Sequence, residues 1–167
     1  MARSAAIQYL DFITKEHPTT RPYRGVGFHG ITLGIGSGRR ADQEVCYFSV
    51  NKRGAATKFY IDEKVTLSQA WQQAVSHWGE IYEIRQKDVA DKLKLTPSPA
   101  QFKALRKQLN EHEGHDLPPS VLHHVYAEQR SQINKKKARE DIGGRLDGDD
   151  FLTMYANLER EVSEFRK

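Results

Sequence analysis

Between Glu44 and Asp62 the chain alternates apolar and polar residues twice, with a glycine turn between the two runs, and no other segment limits the fold as much. In the run Glu44 to Asn51, residues Cys46, Phe48 and Val50 fall on one side, and Tyr47, Ser49 and Asn51 on the other. After the turn Asn51-Lys52-Arg53-Gly54-Ala55, residues Thr57, Phe59 and Ile61 alternate with Lys58, Tyr60 and Asp62. A period of two is that of a half-buried strand, so the pattern predicts an antiparallel hairpin with two unlike faces. A third strand is expected over Tyr23 to Ile31, with Val26 and Phe28 on one face and Gly27, His29 and Ile31 on the other.

One face of such a sheet needs a cover, and the following residues provide a helix. Thr66 and Gln69 have the spacing of a capping box, and Leu67, Trp71, Ala74, Val75, Trp78 and Tyr82 then recur at helical intervals. Ala70 and Ala74 would let that helix lie close to the strands. The expected fold class is therefore α+β, a three-stranded antiparallel sheet packed on one helix and followed by a helical C-terminal region. Three domains are expected: an N-terminal helix in residues 1–20, the β-β-β-α unit in residues 21–84, and helices in residues 85–167. In the last part, Ser98 with Pro99 and Gln101 predicts a capped helix start, and a further helix is expected from the Pro118-Pro119 pair to about Asp141, followed by a loop. Phe151, Tyr155, Leu158, Val162 and Phe165 recur at steps of four and three, a short heptad seam that predicts a homodimer.

The segment Arg24 to Arg40 holds six of the twelve glycines, and Gly25, Gly27 and Gly30 reproduce the G-x-G-x-x-G spacing. That fingerprint serves a dinucleotide only where a strand ends and a helix begins. Here Pro18 and Pro22 lie upstream and a glycine-rich, β-branched run lies downstream, so neither flank fits. A phosphate-binding loop is excluded as well, because no Lys followed by Ser or Thr closes the run. No cofactor is predicted.

Charge is uneven along the chain. Its formal net value is +4, yet residues 21–60 alone hold seven Lys or Arg against two acids. Concentrated positive charge is the electrostatic footprint of a polyanion partner. No apolar run approaches the roughly 20 residues of a membrane span, and the N-terminal residues lack the apolar segment of a signal peptide, so a cytoplasmic protein with no membrane partner is expected. The single Cys46 lies in an apolar strand pattern and reads as a small core residue.

The sheet face away from the helix is the main candidate site. It would carry His29, Tyr47, Ser49, Asn51, Lys58 and Tyr60, flanked by Arg24, Arg39, Arg40, Lys52 and Arg53. Lys and Arg neutralise phosphates, Asn and Ser read base edges, and rings stack or touch thymine methyls. Two other constellations compete. His112, His115, Asp116, His123 and His124, with Glu111 and Glu113, offer metal-ligand chemistry but match no metal motif, so no metal is expected. Asp147 to Asp150 resemble a calcium loop without its closing Glu, and suit a helix cap better.

The stretches Tyr23 to His29, Cys46 to Asn51, Asn51 to Ala55, Thr57 to Asp62 and Thr66 to Trp78 together resemble the ethylene-response-factor (Apetala-type) DNA-binding domain, over about residues 23–84. That domain occurs in plant and apicomplexan transcription factors and in phage and mobile-element proteins, and its sheet enters the DNA major groove. The resemblance implies contacts from Arg24, His29, Tyr47, Ser49, Asn51, Lys58 and Tyr60. The expected function is sequence-preferring binding of double-stranded DNA without catalysis, as a transcriptional regulator or accessory factor of bacterial or phage type. The competing expectations are an adaptor or inhibitor that docks on an acidic protein, and a metal-dependent nuclease centred on the histidines.

Overall fold

A computed structural model describes residues 2–40 and 42–146. Its elements are helix α1 (Ala2–Thr14), strands β1 (Ile31–Ser37), β2 (Glu44–Lys52) and β3 (Ala55–Tyr60), then helices α2 (Leu67–Ile81), α3 (Gln86–Leu93), α4 (Pro99–His112) and α5 (Ala127–Leu146). The three strands form one antiparallel sheet in the order β1-β2-β3, so the fold is mixed α+β.

The hairpin forms where the alternation predicts it, but the first strand does not. It begins at Ile31, not at Tyr23, and uses Ile31, Leu33 and Ile35 as its apolar row. Residues 23–30 cannot run as a strand, because Tyr23, Gly27 and Gly30 have φ of 63°, 89° and 95°. Only a single bridge, Gly25 to Thr32, joins this segment to β1, with the Leu33 N–H donating to the Arg24 carbonyl at 2.8 Å.

Register then sorts the side chains. Ile31 faces Val50, Leu33 faces Phe48 and Ile35 faces Cys46, and Phe59 continues the Phe48 row on β3. Helix α2 covers this apolar face. The Thr66 hydroxyl accepts from the Gln69 N–H while the Gln69 side chain accepts from the Thr66 N–H, completing the predicted box. Ala70 and Ala74 are fully buried, which lets Trp71 lie against the strands and Trp78 against the segment before β1: the Trp71 ring meets Phe48 at 5.1 Å and the Trp78 ring meets Phe28 at 4.8 Å.

The apolar core continues past residue 84. Phe102, Leu105 and Leu109 of α4 join it, with the Phe102 ring 5.6 Å from that of Phe48. Ile13 of α1 joins it too. The chain up to residue 127 is one compact unit. Helix α3 is separate from α2, since Glu83 takes a φ of 55° between them. Its approach depends on Gly79, where a Cβ would stand 2.7 Å from Val89. At α4, Ser98 is the N-cap and Pro99 the first helical residue as expected, but the cap itself is missing: Ser98 makes no side-chain cap bond.

The helix expected from Pro118 onward is instead a single 3-10 turn, Pro119–Leu122, before α5 starts at Ala127. Val121 and Leu122 of that turn are buried in the core, and α5 starts only after it. Helix α5 also runs on to Leu146, through residues expected to open a loop. It opens a second compact unit of the chain, and its residues 129–141 are all exposed. The Asp147 to Asp150 loop and the Phe151, Tyr155, Leu158, Val162 and Phe165 seam lie outside the described residues. Among the described residues no helix is long and apolar enough to cross a membrane.

Candidate nucleic-acid interface

With α2 and α4 packed on the apolar side, the opposite side of the sheet carries the alternate residues. Thr32, Ser49 and Lys58 form one row across the strands, and Gly34, Tyr47 and Tyr60 form the next. Gly34 sets the shape of this face. A Cβ there would lie 2.3 Å from Cε2 of Tyr47, so only glycine lets the Tyr47 ring rest on the β1 backbone. The Tyr60 ring stands edge-on to it with centroids 5.8 Å apart.

Cations flank both rings. Lys58 Nζ lies 4.6 Å from the Tyr47 centroid, and the Arg39 guanidinium carbon 5.9 Å from that of Tyr60. These are exposed cation–π contacts, weak enough for the cations to turn to an arriving phosphate. Beside them Asn51 is held by neighbours. Its Nδ2 donates to the Thr32 hydroxyl at 3.5 Å, and its Oδ1 accepts from the Ser49 hydroxyl at 3.3 Å. Ser49 is only 8% exposed, so it serves to aim Asn51 more than to meet a partner itself.

The remaining sequence-predicted residues divide by position. Arg40 lies with Arg39 along a hollow at the β1–β2 turn, and Arg53 sits exposed in the β2–β3 turn with a φ of 49°. Lys52 lies on the other side of the sheet, because its partner in register is Ala55 and its parity is that of Val50. There its Nζ donates to the Ile81 carbonyl at the end of α2 and sits 5.5 Å from the Tyr82 ring, the place where a cation favours a helix dipole. Arg24 is half-buried: Nη1 donates to the Leu33 carbonyl at 3.5 Å, and Nη2 lies 3.7 Å from Glu113. His29, expected on the first strand, precedes β1 and is stacked edge-on between Phe12 and His17 at 5.1 and 5.2 Å. The Trp78 indole N–H donates to its carbonyl at 2.9 Å.

The structure thus brings Tyr47, Ser49, Asn51, Lys58, Tyr60 and Arg39 onto one face and leaves Arg24 and His29 at its corner. Sequence reasoning missed His17 and Arg21, which share that corner, because they belong to a loop without periodicity. The second candidate disperses. His112 ends α4, Glu113 turns to the arginines, and a φ of 71° at Gly114 carries His115 and Asp116 away, exposed. His123 and His124 meet each other edge-on at 5.3 Å. Among the described residues no three His, Cys, Asp or Glu side chains gather as a metal site requires. Cys46 is buried and donates to the Val121 carbonyl at 3.4 Å, and burial pushes its thiol up to about 12.

No protein-family model, no curated protein and no solved structure matches this chain. The interface therefore stands on its own geometry and charge.

Proposed function

We propose that the chain binds double-stranded DNA across the open face of its sheet, with sequence preference and without catalysis, as a regulator or accessory factor of bacterial or phage type. The observation that carries this reading is the uncovered face itself, where Tyr47, Tyr60, Lys58 and a pre-aimed Asn51 lie together with Arg39 at their edge. On this reading Lys58, Arg39, Arg40 and Arg53 neutralise phosphates and set affinity. Asn51, held by Ser49 and Thr32, reads a base edge, and the tyrosine rings touch bases or methyls.

One feature favours single strands as a second reading. The Tyr47 ring rests against Gly34 with the Tyr60 ring 5.8 Å away, and two aromatic rings on a sheet face can stack unpaired bases. Gel-shift competition separates the two. Labelled duplex held against excess unlabelled single strand, duplex of the same sequence and random duplex should be displaced in the order same duplex, random duplex, single strand. Displacement by single strand first would replace the duplex reading with the stacking one, and absence of binding at low salt would refute both.

A further inference from the structure

At the corner where β1 begins and β2 ends, a groove of about 360 Å³ opens beside the sheet face. Thr32 and Asn51 belong both to it and to the open face, so the two surfaces are continuous. Two arginines and two histidines line it, Arg21, Arg24, His17 and His29, and among the described residues no carboxylate does. The hollow at the opposite end of the strands, about 250 Å³, differs in that Asp62 and Glu63 lie in its own lining beside Arg39, Arg40 and Lys64. The groove's arginines pair with one oxygen of Glu113, shared at 3.6 Å by Arg21 and 3.7 Å by Arg24. Two guanidinium groups against one carboxylate leave positive charge and unused N–H donors. His17 adds another donor. Its Nδ1 faces Thr19, 3.2 Å from the backbone N–H and 2.7 Å from the hydroxyl, and its other ring nitrogen is the one left for a ligand.

From this charge balance and donor set we infer that the groove is a seat for a phosphate group, held by Arg21 and Arg24 with the His17 imidazole and the Thr32 hydroxyl. N–H and O–H donors beside two guanidinium groups that share a single carboxylate suit a tetrahedral oxyanion. The inference rests on the DNA reading only for the source of the phosphate, which is either a backbone phosphate of nucleic acid lying on the face or a free phosphate ester.

The test uses the full chain and three probes: inorganic phosphate, a nucleoside 5′-monophosphate and a DNA duplex. Tryptophan fluorescence reports the first two, since Trp78 is bonded to His29 at the groove. Both small probes should give saturable binding, weakened at least about tenfold by Arg21→Glu, which removes a charge-assisted donor and adds a charge of the phosphate's own sign. The Arg21 side chain is 70% exposed, so the fold tolerates the change, and His17→Ala provides an independent variant expected to weaken binding in the same direction. If Arg21→Glu weakens duplex binding as well, the phosphate is that of the nucleic acid; if it weakens only the small probes, the groove takes a free phosphate ester. No saturable phosphate binding, or binding indifferent to both variants, overturns the inference. The double variant Lys58→Ala, Arg39→Ala should leave phosphate affinity unchanged. Phosphate binding without duplex binding would refute the DNA reading alone, and duplex binding without phosphate binding would refute the groove alone.

Discussion

The two faces of the sheet are made from the same residues taken alternately, and they have opposite needs. On the helix side Ile31, Leu33, Phe48 and Val50 are at most 1% exposed and are bounded by Trp71 and Phe102. On the other side Tyr47 and Tyr60 are half-buried and Lys58 and Asn51 are exposed. A one-residue step along β2, from Val50 to Asn51, separates a side chain whose loss should destabilise the fold from one whose loss should matter mainly to a partner. On the DNA-binding reading, stability and recognition should be separable in this chain, and four variants test that separation.

The largest effect is expected at Phe48, which is fully buried between the Trp71 and Phe102 rings. Phe48→Ala removes a ring and leaves a cavity, at a cost of about 3–5 kcal/mol that urea unfolding would measure. A loss under about 1 kcal/mol would mean that the helix face is not a packed core.

Its neighbour Cys46 gives the next effect, through pH. The folded thiol is raised by burial from 9.0 to about 12, so between these values the unfolded chain has lost a proton that the folded chain retains. Stability from this group is therefore intact below about pH 9 and falls as pH rises toward 12. Cys46→Ala should flatten that part of the pH–stability curve, and native protein at pH 8 should resist alkylation until it unfolds. Rapid labelling of folded protein would show that this face opens.

On the open side the effects should move from stability to binding. Lys58→Ala with Arg39→Ala should change unfolding free energy by less than about 0.5 kcal/mol, since both cations make only exposed cation–π contacts. Duplex affinity should nevertheless drop, and the dependence of log K on log salt should become shallower by about 0.9 for each phosphate no longer neutralised. Unchanged salt dependence would remove this face as the interface.

The smallest change in overall affinity is expected for Asn51→Ala, which should bind random duplex almost as wild type does while its preference among sequences flattens. Selection from a randomised duplex pool would show it. Retained preference would transfer base reading to the tyrosines.

Lys52 shows where the sequence alone misleads about these faces. It follows Asn51 in a basic turn and looks like a phosphate contact, yet the Lys52–Ala55 pairing turns it to the helix side, where it caps the end of α2. Parity decides the face, and parity near a turn depends on where the ladder stops. The histidines near residue 115 mislead differently: proximity in sequence is undone by a left-handed glycine and two prolines.

Local patterns determined the hairpin, its two-faced alternation, the capping box that starts α2 and the concentration of positive charge before residue 60, because each depends on residues within a few positions of one another. Tertiary structure decided the rest. Left-handed conformations at Tyr23, Gly27 and Gly30 moved the first strand forward to Ile31, where its apolar row could meet β2 in register. Packing of Phe102, Leu105 and Leu109 drew α4 into a core that the sequence pattern closed at residue 84. The groove at the β1 and β2 corner joins a loop, a strand start and a strand end that lie apart along the chain. Such a site has no period and no motif, since the positions of its donors follow from packing and from no spacing in the sequence.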